Sequence, residues 1–356
     1  MTTSLFTPLA LGQLHLANRI VMAPMTRSRA TDNDLVTDLH VQYYAQRASA
    51  GLIISEGAHP SEEGKGYCRS PGIYNQAQID AWRRVTEAVH EKGGLMACQI
   101  MHCGRVGHSD NKAPGARTLA PSAIACKDEI YTEAGMQPMQ MPDAMTLMDI
   151  KQTIEDYRQA ALNAMAAGFD AIELHFTSGY LPAQFLSTGT NQRSDMYGGS
   201  LENRLRFPLA LVEACCQAIG SDRVGVRVCP GNPFNGLQDD KPEETFGALF
   251  EALSDYRLAW LHVIRMPSTG IDNIALAQRH FRGPIMVNDS YKQDEAEAVI
   301  ANGEAAAVSF GRAFIANPDL VARFANGWPL NKIDFTTLYT PGEAGFTDYP
   351  VYSDAV

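Results

Sequence analysis

Eight short apolar runs, each containing β-branched or other strand-forming residues, limit what this chain can fold into. They are RIVMAPM (19–25), GLIISEG (51–57), GLMACQI (94–100), FDAIELHF (169–176), VGVRVCP (224–230), AWLHVI (259–264), GPIMVN (283–288) and AAAVSFGR (305–312). Runs that are apolar on both faces read as parallel strands buried on either side. Helical patterns lie between them. In LMDIKQTIEDYRQAALNAMAAG (147–168) the residues Ile150, Ile154, Tyr157, Ala161 and Met165 form one apolar stripe. Thr146 with Asp149 has the form of a capping box, and Gly168 suits the C-terminal cap. In SLENRLRFPLALVEACCQAIG (200–220) the stripe is Leu201, Leu205, Leu209, Val212, Cys216 and Ile219, and Pro208 should bend the helix. Other helices are expected to start near Asp38, Gln76, Pro242, Asp272, Gln293 and Arg312.

Eight strands, each followed by a helix, specify an α/β fold, a (β/α)8 TIM barrel. At 356 residues the chain suits one barrel domain spanning 1–356. An open doubly wound sheet usually has fewer strands, and no G-x-G-x-x-G follows the first run. LALGQLHLANR, ahead of that run, reads as an N-terminal β-hairpin closing the barrel bottom. Cys103 to Thr146, rich in Gly, Pro and polar residues, reads as a long excursion after strand three, over one end of the barrel.

A formal net charge of −11 argues against general binding of nucleic acid, which needs clustered Lys and Arg. No apolar run approaches the length of a membrane span, and the N-terminus lacks the pattern of a secretory signal. The seven cysteines include no C-x-x-C pair, so neither a disulfide framework nor a metal site is expected, and a reduced, cytoplasmic setting fits best.

In this fold the chemistry lies at the C-terminal ends of the strands. Those ends carry Pro24, Met25 and Thr26; Glu56, Gly57 and Ala58; Gln99 and His102; His175, Ser178 and Tyr180; Asn288, Asp289 and Ser290; and Gly311 and Arg312. Arg227 lies within the fifth strand, where a buried cation is expensive unless paired or facing a ligand. Gly311-Arg312 before a helix is the usual barrel arrangement for a phosphate. A lone histidine after a strand is more often structural than catalytic. Together the groups offer amide, imidazole, hydroxyl and guanidinium, which suits an electron-rich anionic ring and a developing oxyanion. No strand-end lysine is placed for a Schiff base, which lowers an aldolase reading, and His175 with Tyr180 speaks against a binding protein without turnover.

The segments LFTPLALGQLHLANRIVMAPMTRSRA, YYAQRASAGLIISEG, TNQRSDMYGGSLENRLRF, VGVRVCP, SFGRAFIANPDL and GFTDYP span nearly the whole chain, and together they resemble the old yellow enzyme family of FMN-dependent ene reductases. The resemblance implies non-covalent FMN, with NADPH or NADH as reductant. Pro24 and Met25 would lie along the flavin, with Thr26 near a flavin carbonyl. Ala58 and Gln99 would contact the pyrimidine edge. Arg227 would stabilise the reduced flavin, and Ser290, Gly311 and Arg312 would hold the phosphate. His175 and Ser178 would hold the carbonyl oxygen of a small activated alkene, and Tyr180 would donate the proton that follows hydride transfer from flavin N5. Tyr67, Met101 and Tyr339 would line the substrate pocket. A redox-neutral flavin isomerase and a nitroester or nitroaromatic reductase are alternatives on the same site. A monomer or homodimer is expected.

The chain departs from that family in three places. The second oxygen-holding position, usually Asn or His, is Ser178, which brings one shorter donor. Met101 stands where Trp is frequent. Asp289 stands where relatives carry Gly near the phosphate, and its charge should point away.

Overall fold

The computed structural model describes residues 4–353. Two antiparallel strands come first, β1 (Leu9–Leu11) and β2 (Leu14–Leu16). Then follow β3 (Ile20–Met22), β4 (Leu52–Ile54) and β5 (Met96–Ile100). The excursion contributes β6 (Leu119–Ala120), β7 (Glu129–Thr132), β8 (Gly135–Pro138) and β9 (Asp143–Ala144). The rest are β10 (Ala171–His175), β11 (Val224–Val228), β12 (Trp260–Ile264), β13 (Ile285–Asn288) and β14 (Ala307–Phe310). Strands β3, β4, β5 and β10 to β14 pair in parallel and close into a barrel, and each lies inside one of the eight expected runs.

Successive side chains on a strand face opposite ways, and the barrel uses this to build two cores. Outward residues such as Ile53, Cys98, Ile172, Val226, Val263 and Val287 pack under the helices. Inward residues at the lower end, Val21, Leu52, Ala97, Ala171, Trp260, Met286 and Ala307, form a second apolar cluster with Leu11, Leu14 and Leu16 of the hairpin, which plugs the barrel bottom as expected. Gly225 leaves room for the Trp260 ring, since a Cβ there would overlap the indole. Gly12 turns the hairpin at φ +55, against the Asp222 carbonyl. The upper inward layer breaks the expectation of strands apolar on both faces. Gln99, Glu173, His175, Arg227, His262, Asn288 and Ser309 are all buried there.

The helices are α1 (Asp38–Ala45), α2 (Gln76–His90), α3 (Leu147–Ala166), α4 (Leu181–Leu186), α5 (Leu201–Ile219), α6 (Pro242–Ser254), α7 (Asn273–His280), α8 (Gln293–Ala301), α9 (Arg312–Ala316) and α10 (Leu320–Asn326). The Thr146–Asp149 capping box is present, and Gly168 follows α3 at φ +88. The buried faces include the expected stripes and are wider than them. On α3, Thr153, Ala160 and Ala164 are buried while Ile154 and Met165 are only half-buried. Thr153 satisfies its hydroxyl on the Asp149 carbonyl and Asn163 donates to the Ile73 carbonyl, so small and paired polar groups enter a face that hydropathy alone would not mark. On α5, Leu205 and Val212 of the stripe are buried and Leu201, Leu209, Cys216 and Ile219 pack half-buried on the core, while the buried face widens to Phe207, Pro208, Leu211 and Cys215, with Phe207 against Phe185 at a ring separation of 4.1 Å. The helix runs through Pro208 rather than ending there. The excursion is more ordered than a bare loop, because β7 and β8 form a hairpin within it.

Candidate active site

A cavity of about 1070 Å³ opens over the upper polar layer. The segment after β3 supplies Pro24, Met25 and Thr26 to its wall. Gln99 and Met101 come from the end of β5, His175, Ser178 and Tyr180 from the end of β10, and Arg227 from β11. Tyr67, the β7–β8 hairpin and the C-terminal segment with Leu338 and Tyr339 complete the walls. A smaller cavity of about 290 Å³ adjoins it, sharing Pro24, Met25, Arg227, Asn288, Asp289 and Arg312 and adding Ser290 and Gly311. Of the residues expected to touch flavin or substrate, only Ala58 is in neither lining. It is fully buried behind the wall, where its amide donates to the Gln99 carbonyl. Glu56 and His102, also at strand ends, face away. Glu56 sits against Tyr44 and His40 of α1, and His102 is buried with Nδ1 accepting the Gly104 amide.

The floor is a closed network. Glu173 Oε1 accepts from Gln99 Nε2 at 2.9 Å, and its Oε2 accepts from Trp260 Nε1 at 2.9 Å and His262 Nδ1 at 2.8 Å. Arg227 Nη1 lies 2.9 Å from His262 Nε2, and its Nη2 donates to Asn288 Oδ1 at 2.7 Å. Burial alone would push the Glu173 carboxyl up, but His262, Arg227 and the indole N–H outweigh it and hold it down to about 2. His262 is pushed down to about 4 by burial and by Arg227. So the floor carries a carboxylate, a neutral imidazole and a guanidinium at neutral pH.

His175 is pushed down to about 3 by burial and by Arg227, so it too is neutral. Its Nδ1 faces Gln99 Nε2 at 3.3 Å and takes the acceptor role, which leaves Nε2–H as a donor. Tyr180 lies beside it, the rings tilted at 44° with a centroid separation of 5.1 Å, and is itself buried. Burial, with Tyr67 beside it, raises the phenol well above its ordinary range, so it stays protonated. The two phenol oxygens, Tyr180 and Tyr67, are 3.1 Å apart. Ser178 sits at φ +59, a left-handed conformation that Asn and Gly adopt more readily. Its carbonyl accepts from Asn235 Nδ2 at 2.7 Å, and its hydroxyl makes no hydrogen bond among the described residues.

At the rim, Arg312 Nη2 donates to Ser290 Oγ at 2.8 Å. The Asp289 carboxylate does not point away as expected. It lies 3.4 Å from the same guanidinium nitrogen, drawn in by charge. Asp289 and Ser290 occupy φ +84 and +56, and Arg265 binds both of their carbonyls at 2.7 Å while its guanidinium lies 3.7 Å over the Tyr291 ring. A second cluster holds the C-terminal wall. Arg27 and Arg29, just past β3, donate to carbonyls of Leu338, Gly342, Ala344 and Gly345. Met101 packs beside Tyr180 and Cys103, and Tyr339 is exposed at the mouth.

Reasoning from strand ends missed Glu173, Trp260, His262 and Ser309 as parts of the floor. The signal was present, because each sits on the inward phase of the alternation: Glu173 and His262 two residues before the end of their strands, Trp260 four and Ser309 one.

A family model described as NADH:flavin oxidoreductase / NADH oxidase matches residues 4–331. A probable flavin mononucleotide-dependent alkene reductase of Leishmania infantum is 43% identical over 352 residues, covering 96% of this chain and 96% of the relative. The 12-oxophytodienoate reductase 7 of Oryza sativa subsp. japonica is 39% identical over 371 residues, covering 97% of this chain and 94% of the relative. Among solved structures, morphinone reductase superposes with a TM-score of 0.93 at 42% identity, over 99% of this chain and 97% of that one. The old yellow enzyme homologue of Zymomonas mobilis does so with a TM-score of 0.94 at 39% identity, over 98% of this chain and 100% of that one.

Proposed function

The chain belongs to the NADH:flavin oxidoreductase / NADH oxidase family, the old yellow enzyme family, and is an FMN-dependent NAD(P)H oxidoreductase; we propose that it reduces the C=C bond of α,β-unsaturated carbonyl or nitro compounds. The site fits FMN by its donor set. A cation stands at each end, Arg227 below and Arg312 at the rim beside Ser290, with an uncharged wall of Pro24, Met25 and Thr26 between them and Gln99 at the side. Arg227 and Gln99 would take the ring and Arg312, Ser290 and Gly311 the phosphate. When bound, the flavin supplies the hydride that reaches the electron-poor alkene carbon.

The chain's own residues do the rest. His175 Nε2–H is a neutral donor aimed into the cavity, suited to the activating oxygen as charge builds on it. A fixed donor of this kind is typically worth about 10²–10³ in rate. Ser178 is placed to add a second, more movable donor. Tyr180, kept protonated by burial, delivers its proton to the neighbouring carbon, and Tyr67 accepts its hydrogen bond in the resting protein. The observation that carries this reading is the pairing of neutral His175 and protonated Tyr180, 5.1 Å apart between rings, in one cavity with Arg227.

Anaerobic stopped-flow tests it in two halves. The purified holoprotein should be bleached by NADPH and re-oxidised by 2-cyclohexenone. Flavin that stays reduced with this and with nitroalkene acceptors would sink the proposal. Tyr180→Phe should keep the NADPH half-reaction and slow the alkene half-reaction by about 10²–10⁴. Equal loss in both halves would remove Tyr180 from the proton-donor role.

A further inference from the structure

Glu173 and His262 are fully buried in the barrel interior, and the function proposed above uses neither of them directly. The lower interior layer of the same barrel is apolar, so the fold does not by itself call for a buried carboxylate bonded to an imidazole. A buried charge is weak evidence for stability, because well-packed apolar residues often serve as well. The pair therefore calls for another reason.

Its geometry supplies one. A carboxylate only accepts hydrogen bonds. Glu173 Oε1 therefore turns the Gln99 NH2 toward itself, 2.9 Å away, and leaves the Gln99 carbonyl oxygen on the opposite side. Glu173 Oε2 fixes the His262 proton on Nδ1, which leaves Nε2 to accept from Ser309 Oγ at 2.7 Å, while Arg227 Nη1 lies against the ring, 2.9 Å from Nε2 and 3.1 Å from Nδ1. Arg227 is thus gripped from two sides, by His262 and by Asn288 at 2.7 Å. We infer that Glu173 is a positioning residue for the flavin site: it sets the amide orientation of Gln99 directly and, through His262, the placement and effective charge of Arg227. In a buried, low-dielectric layer one carboxylate acts at longer range than it would in solvent. Its negative charge offsets part of the Arg227 field where a reduced, electron-rich ring would lie.

The inference rests on the reading that Arg227 and Gln99 face the flavin, and the experiment separates the two. The midpoint potential of bound FMN and the FMN dissociation constant are measured for the holoprotein and for Glu173→Gln, Glu173→Asp and Arg227→Gln. Glu173→Gln, which keeps the shape and removes the charge, should raise the potential and weaken FMN binding about tenfold, the worth of one lost hydrogen bond. Glu173→Asp keeps the charge but loses its reach to Gln99. It should leave the potential near that of the parent and weaken binding to a similar degree. A potential that falls or stays unchanged in Glu173→Gln, or moves equally in both variants, overturns the inference. If Arg227→Gln moves neither quantity, the site reading itself fails. Should neither Glu173 variant fold, nitrogen NMR of the histidine-labelled holoprotein decides. His262 should remain neutral with its proton on Nδ1 from pH 5 to 9, and a charged or Nε2-protonated ring there overturns the inference.

Discussion

Two arginines bracket the cavity in opposite surroundings. Arg227 is buried, fixed by His262 and Asn288, and shares its layer with the Glu173 carboxylate. The Arg312 side chain is 58% exposed and is held by Ser290 and, more loosely, by Asp289. The floor is preorganised: its donors are locked before any ligand arrives, at the cost of a desolvated cation. The rim is adjustable: its cation is screened by water and salt, and its loop holds two non-glycine residues in left-handed conformations. The difference teaches that the same side chain serves two ends of one ligand by different physics. One end depends on field and orientation, the other on reachable charge.

The comparison breaks first at the floor. Arg227→Ala should leave Glu173 and His262 without their cation and destabilise the fold by about 3–5 kcal/mol, the usual penalty for breaking a buried pair. Urea unfolding of the apoprotein measures it, and a loss below about 1 kcal/mol would mean that the floor is no more committed than the rim.

Acid should also strike the interior. His102 and His175 are pushed down to about 3 and His262 to about 4 by burial, each below the ordinary 6.5. Between those values the unfolded chain binds more protons than the folded one, so stability falls as pH drops below about 6.5. Each histidine contributes at most about 1.4 kcal/mol per pH unit. Glu173, held at about 2 against an ordinary 4.5, adds its share below pH 4.5. A urea midpoint that stays flat from pH 7 to 5 would contradict this.

The rim effects are smaller and depend on salt. Arg312→Ala should weaken FMN binding by roughly tenfold at low ionic strength and by less at high salt. FMN fluorescence titration at two salt concentrations reads this, whereas a salt-independent loss would make Arg312 behave like Arg227. The smallest effect is expected for Asp289→Gly. It relieves one left-handed residue, worth about 1 kcal/mol, and removes the carboxylate that competes for Arg312. Thermal stability should rise slightly and FMN bind a few-fold more tightly. Weaker binding would show that Asp289 positions Arg312 rather than competing for it.

How much of this was legible depended on whether the cause was local. Thr146 and Asp149 announced the start of α3 because a capping box closes within four residues. Arg227 stood out because a cation within an apolar run needs a partner or a ligand. Asp289 was misread because its direction is set by Arg312, 23 residues on. The stripe on α5 packs on the core but was drawn too narrow, because Arg204, Pro208 and Cys215 also enter the buried face, helped by partners in other elements such as the Leu186 and Tyr157 carbonyls.

By itself, the sequence determined the order and kind of the elements, the closure of the barrel bottom, and the strand ends where chemistry gathers. These follow from periodicity, caps and β-branching, which act over a few residues. Only the tertiary structure decided which inward side chains share a layer. Glu173 meets Gln99 across 74 residues, Trp260 across 87 and His262 across 89. Those meetings follow from barrel register, and register is settled by the packing of all eight strands together.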